Sequence, residues 1–516
     1  MTRRQIISSD GPASLRLDSP LSLETLDPHL GRPIRVEIPE SAWQRAGSSR
    51  DRIEKSIQSG RVIYGVNTGF GKLCNKRISQ DQLDLLQENL LVSHAVGVGP
   101  PAPPEIVRWM LLFKINALLI GASGVQPDCI RGLADMLNHD LLPVVPTRGS
   151  LGASGDLAPL AHVVLPLIGR GQVQSDGVVT GAAAAFKQSG IAPVKLGAKD
   201  GLALINGTQF MLAYAAAIAI RARRLAKYAD IVLTLSLDAF RGSIAPFHEA
   251  IVALRPHPGI GETSENVRRL MADSEILASH ADCDKVQDPY SLRCAGVVHG
   301  ACRDVLRHAC GTFEIEMNSV TDNPVLIGDD VVSGGLFHGE PLALALDHLA
   351  MALTEWASIS ERRVYLLLHG PDGLPLLLMK DTGLNSGFMI PQYTSAALVN
   401  ECKVLSTPAC VDTIPSSLGQ EDHVSMGATS AVKCWQILDH VETVLAIEMM
   451  CAAQALEYRL PTRPGIGPRT ALATIREVIP HAEQDRLFGE DIQASIELLR
   501  SQRVLKAVEA AVGPLK

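Results

Sequence analysis

Five stretches, residues 202–238, 297–316, 342–368, 394–405 and 425–456, carry apolar residues at three- and four-residue spacing. That is the repeat that lines one face of an α-helix. Most of them exceed the usual helix length of about 11–12 residues, and helices of such length must bury their apolar faces against one another, so the chain is predicted to build a bundle of long helices. Hydrophobic residues make up 46% of the chain but aromatic residues only 4%, which leaves Leu, Ala, Val and Ile to fill the core. At 516 residues there is length for a large core and for more than one domain.

Glycine and proline punctuate residues 1–200, with short β-like pieces at 61–66 and 171–180 among helices. The expected organisation is a smaller mixed α/β N-terminal domain over 1–200, a central long-helix bundle over 201–460, and a C-terminal helical tail over 461–516 behind a hinge at 461–468. The fold class is mainly α. Turn formers mark loops at His257-Pro258-Gly259, Asp322-Asn323-Pro324, Ser333-Gly334-Gly335 and residues 383–387.

A net charge of −8 disfavours a nucleic-acid or anionic-membrane partner. The ten cysteines, scattered from Cys74 to Cys451, include no Cys-x-x-Cys pair and no metal-ligand spacing with histidine. Free thiols and no metal are expected. The N-terminus lacks the apolar core of a signal peptide, and the best membrane candidate, residues 202–220, is interrupted by Asn206, Thr208 and Gln209. It reads as a buried core helix, and the expected location is cytoplasmic.

Chemistry enters with Gly149-Ser150-Leu151-Gly152-Ala153-Ser154-Gly155-Asp156-Leu157-Ala158-Pro159. If the Gly155 amide nitrogen attacks the Ala153 carbonyl carbon and two waters leave, one of them from the Ser154 side chain, the product is a 4-methylideneimidazole-5-one ring (MIO), an electrophile made from backbone. Gly155 offers an unhindered nitrogen and the freedom for a tight turn. Ser154 supplies the hydroxyl whose loss leaves the methylidene, and Ala153 is small enough not to block closure. An isolated Ala-Ser-Gly is far more often an ordinary small-residue turn, and Ala122-Ser123-Gly124 repeats it. The extra glycines and Asp156 set the second copy apart.

Other segments are ambiguous singly. Tyr64-Gly65-Val66-Asn67-Thr68-Gly69-Phe70-Gly71 lacks the Lys-Ser/Thr of a phosphate loop and can instead be a mobile loop presenting Tyr64. His94 ends a helical stretch, where a structural histidine is the commoner meaning. Asn206 sits at an apolar helix start, where a buried amide needs a partner. Gln287-Asp288-Pro289-Tyr290-Ser291-Leu292-Arg293 sets a phenol three residues from a guanidinium able to clamp a carboxylate, or is a surface turn with an ion pair. Gln420-Glu421-Asp422-His423 is a solvated acidic turn or a substrate-facing carboxylate.

Taken in order, these segments with GLALINGTQ, TDNP, SERR (360–363), GLNSGFMI and QEDHVSM resemble the MIO-dependent aromatic amino acid lyases over residues 60–490, and Ser93-His94 resembles their histidine branch. The resemblance implies a fumarase/aspartase-like, nearly all-α homotetramer whose active sites each draw loops from three subunits. It implies elimination of ammonia from L-histidine to give trans-urocanate, with MIO formed from Ala153, Ser154 and Gly155 and no external cofactor. Tyr64 would be the base and Asn206, Tyr290 and Gln287 would line the ring and position the amine. Arg293 would grip the carboxylate, His94 and Glu421 would face the imidazole, and Phe337 would pack beside it. The chain departs from the family at Ala295-Gly296-Val297, where Pro-Gln is usual after Arg-Cys, and at Leu336 and Gly419, each in place of Asn. Open alternatives are therefore an MIO lyase or 2,3-aminomutase for another aromatic amino acid, or an inactive homologue.

Overall fold

The computed structural model describes residues 13–59, 62–69, 78–79, 82–281 and 283–516. Helices dominate, and the longest are Gln209–Phe240, Ala295–Met317, Glu340–Leu368 and Gly427–Glu457. Every residue from Phe210 to Ile220 is buried, as the alanine- and leucine-rich sequence requires if helices are to pack closely on all sides. Pro104–Leu119 starts with a proline in its first turn, where the missing N–H costs nothing, and buries all but a few of its residues. Among the described residues the sheets are four small ones of two or three strands.

The chain forms two compact units. One gathers the residues up to Ala219 with Cys310–Asp347 and Pro408–Val432; the other comprises Ile220–Ala309, His348–Thr407 and Lys433–Lys516. This division differs from the expected boundaries at 200 and 460, because the long helices carry the chain from one unit into the other rather than ending at a linker.

The predicted helix over 202–238 is broken, and the break matters. Asp200–Ile205 ends at Asn206, which is extended, and Gln209–Phe240 starts only after Gly207 at φ +134°. A side chain at 207 would collide with Gln209 and Thr321, so glycine is the residue that allows the turn. Within 61–66 the described residues form a turn at Tyr64–Val66, with Gly65 at φ +64° and the Val66 amide donating to the Ile63 carbonyl, in place of the expected strand. The second β-like piece is a hairpin, Gln172–Ser175 against Val178–Gly181. Two expected breaks are helix starts instead: Pro258–Leu270 opens on Pro258, and Ile466–Arg476 begins inside the predicted hinge.

No disulfide joins the nine described cysteines; Cys74 lies outside the described residues. Glu340–Leu368 is long and apolar enough to cross a membrane, but 67% of its apolar window is buried in the protein.

Candidate active site

The loop 149–156 lies in the first unit and is held from several sides. Gly152 sits at φ +68° with its carbonyl accepting from Ser425 Oγ (3.1 Å), and the Met426 amide donates to the Leu151 carbonyl (2.8 Å). Asp156 is fully buried; its carboxyl accepts from Ser150 Oγ (3.0 Å) and from the Met211 amide (3.0 Å) in the first turn of Gln209–Phe240. Burial pushes its pKa up to about 7, against the pull of those donors. Gly155, at φ +71°, pairs with Gly207, and the Asp156 amide donates to the Gly207 carbonyl at 2.6 Å. A Cβ on Gly155 would stand 2.1 Å from that carbonyl oxygen.

Ser154 is thereby turned toward a cavity of about 540 Å³, lined among others by Tyr64, His94, Asn206, Phe337 and Glu421. Ser154 Oγ donates to Glu421 Oε1 (3.0 Å), and Asn206 Nδ2 donates to the Ser154 carbonyl (3.0 Å). The buried Asn206 Oδ1 has no hydrogen-bond donor among the described residues, so one amide acceptor is left at this wall. Glu421 Oε2 accepts from Ser416 Oγ (2.9 Å), and the Ser416 amide donates to the Glu421 carbonyl (2.7 Å) across Ser417, Leu418 and Gly419, all at positive φ. His94 ends the helix Leu83–His94, with Ser93 Oγ 3.0 Å from Nδ1. Burial lowers its pKa, outweighing the opposite effects of the Leu90 backbone and Glu421, so the imidazole is held neutral near pH 7.

Six of the residues singled out from sequence, Tyr64, His94, Ser154, Asn206, Phe337 and Glu421, thus meet at one cavity. Ala153 and Gly155 flank Ser154 without lining it. Gln287, Tyr290 and Arg293 belong to the second unit and line no part of it. Tyr290–Arg293 forms a short helix in which Arg293 stacks over the Tyr290 ring at 4.7 Å, Tyr290 is 70% exposed, and Arg293 Nε is buried without an acceptor among the described residues. Leu336 is exposed beside Phe337.

Sequence reasoning missed Gln87 and Lys114. The fully buried Gln87 donates to the Gly65 carbonyl (3.2 Å) and accepts from the Leu202 amide (3.2 Å), tying the Tyr64 turn to Asp200–Ile205. Lys114 donates to the Asn206 carbonyl. A lone cation in the apolar run 110–120 was the available signal for it. His338, Glu340 and His423 place ligand-type atoms within 4.8 Å of one another, with the His338 ring bonded to the His423 carbonyl and the Glu340 amide.

The earlier copy of the tripeptide, Ala122-Ser123-Gly124, has a different partner at its glycine. The Gly124 amide, the nitrogen that would have to attack, donates to Ser49 Oγ at 2.9 Å. Both glycines are left-handed, Gly124 at φ +68° and Gly155 at φ +71°, and the second is packed against the Gly207 backbone.

A family model described as aromatic amino acid lyase matches residues 21–477. A histidine ammonia-lyase from Gloeobacter violaceus is 50% identical over 489 residues, 94% of this chain and 95% of that protein. The crystal structure of a histidine ammonia-lyase from Trypanosoma cruzi is similar with a TM-score of 0.90 at 37% identity, over 97% of this chain and 96% of that one. A tyrosine aminomutase from Streptomyces globisporus is similar with a TM-score of 0.92 at 34% identity, over 98% and 100%.

Proposed function

Because the chain belongs to the aromatic amino acid lyase family and is thereby a carbon–nitrogen lyase, we propose that it eliminates ammonia from L-histidine to give trans-urocanate, using an MIO ring formed from Ala153, Ser154 and Gly155. The observation that carries this reading is the meeting of Ser154 with Glu421, Asn206, Tyr64 and His94 at one cavity.

Elimination from an amino acid faces a poor leaving group and a weakly acidic β-hydrogen. The ring would supply an electrophilic methylidene that makes the leaving group better. Tyr64, as phenolate, removes the β-proton; positioned general bases contribute about 10²–10⁴-fold. Asn206 Oδ1, with no donor of its own, accepts an N–H of the substrate amine. Glu421 accepts an imidazole N–H, and the neutral His94 offers the complementary nitrogen, which together fix the substrate tautomer. Arg293 grips the carboxylate, with Tyr290 and Gln287 completing the site from other subunits of a homotetramer in which each site is shared. The cytoplasm is the expected compartment.

A second reading, a 2,3-aminomutase or a lyase for another aromatic amino acid, is favoured by Leu336, Gly419 and Ala295-Gly296-Val297, which remove amides usual in the family, and by the likeness to a tyrosine aminomutase. Purified protein incubated separately with histidine, phenylalanine and tyrosine decides between them. Urocanate and ammonia from histidine alone support the first reading; a β-amino acid, or turnover of tyrosine or phenylalanine in preference, replaces it with the second.

A further inference from the structure

Lys114 is 1% exposed in the middle of Pro104–Leu119. Among the described residues it forms no ion pair; its ammonium donates to the Asn206 backbone carbonyl at 2.7 Å. The other buried lysine nearby, Lys199, takes Asp322 at 2.8 Å. A lysine buried against a single carbonyl is costly, and a methionine of similar size would fill the space without burying a charge. Burial holds its pKa down to about 7, with Asp322 and Asp156 opposing and Lys199 assisting. What the lysine adds over a methionine is the hydrogen bond to the turn.

The carbonyl it holds belongs to the break between Asp200–Ile205 and Gln209–Phe240. That break touches the 153–156 loop twice: the Asn206 side chain donates to the Ser154 carbonyl at 3.0 Å, and the Gly207 carbonyl accepts from the Asp156 amide at 2.6 Å. Lys114, which is not among the residues lining the cavity, therefore holds the segment against which the 153–156 loop is bonded.

We propose that Lys114 is a positioning residue for ring closure at Ala153-Ser154-Gly155, acting through the Asn206-Gly207 turn. The proposal rests on the reading that these three residues cyclise. In that closure a bond forms from the Gly155 nitrogen to the Ala153 carbonyl carbon. The carbonyl oxygen leaves as water with the protons of the Gly155 and Ser154 amides, and Ser154 loses Oγ with its hydrogen and the Cα hydrogen as the second water. Nitrogen and carbon must be held in close approach while water departs. Loosening one wall of the fold slows that step without touching the reacting atoms.

The test is intact-mass measurement of the full-length parent protein, Lys114→Met and Lys114→Arg, beside thermal unfolding and kcat and KM for histidine. The expected result is a folded Lys114→Met protein with a much smaller fraction of chains lacking two waters. Its kcat should fall by up to about 10²-fold with KM for histidine little changed. Lys114→Arg, which keeps a cationic donor, should retain more of the lighter species. If the methionine variant does not fold, Lys114→Gln, neutral and too short to span to the carbonyl, takes its place with the same readings. A folded variant dehydrated to the parent's extent overturns the proposal whatever its kcat. A parent of full sequence mass removes instead the reading on which the proposal rests.

Discussion

Ser154 Oγ donates to Glu421 Oε1 at 3.0 Å across 267 residues of sequence. The hydroxyl that must leave for a ring to form and the carboxylate expected to read an imidazole are thus neighbours. Because Glu421 is held from behind by Ser416 Oγ at 2.9 Å, its orientation does not depend on Ser154. Glu421→Gln should therefore reduce kcat/KM for histidine far more than for phenylalanine, since a polar site left unpaired discriminates strongly. Arg293→Lys should weaken all amino acids alike by losing the bidentate grip. Equal factors for both substrates in Glu421→Gln would remove the imidazole-recognition role.

Tyr64→Phe should leave the two-water mass deficit intact while lowering kcat by about 10²–10⁴-fold, because the phenol is needed for proton removal and not for ring closure. Near-normal kcat in that variant would mean another base.

Gly207→Ala is expected to damage folding and site together. Its Cβ would lie 2.5 Å from Gln209 Oε1 and 2.7 Å from Thr321 Oγ1, at a φ of +134°; such strained residues cost about 1–3 kcal/mol. A lower Tm and a smaller dehydrated fraction should appear together, measured by calorimetry and intact mass.

The second unit supplies a pH prediction. Fully buried His299 lies 2.9 Å from Asp230 through Nδ1, and burial lowers its pKa, ahead of Asp230, which raises it. The unfolded chain then binds the imidazole proton more readily than the folded one, so stability is full above the ordinary histidine pKa. It is lost as pH falls through that value toward the lowered folded one. His299→Asn, which keeps a donor toward Asp230 but cannot ionise, should show a flatter Tm between about pH 7 and pH 5 than the parent protein. Parallel Tm curves for the two would contradict the assignment.

The long helices were legible because periodicity over twenty or more residues reports a buried face directly. Ala295–Met317 and Gly427–Glu457 lie within two residues of the predicted spans. The break at Asn206-Gly207-Thr208 was not, since apolar residues on both sides continue the helical pattern and only the backbone reveals the turn. Within the site, Tyr64, Ser154 and Glu421 stood out through glycine-rich or polar surroundings, and Asn206 as an amide at an apolar helix start. Lys114 and Gln87 did not, because they act on backbone groups and leave no pattern of their own in sequence. The division into two units was hidden for a related reason: helices that pass from one unit to the other carry no linker composition.

The measurement closest to the central claim is the mass of the intact, active protein, with the deficit mapped by peptide digestion. The account predicts a chain lighter than its sequence by two waters, both missing from the peptide that contains Ala153-Ser154-Gly155. Ser154→Ala should keep those waters and lose turnover. A preparation that turns over histidine while carrying the full sequence mass would contradict it.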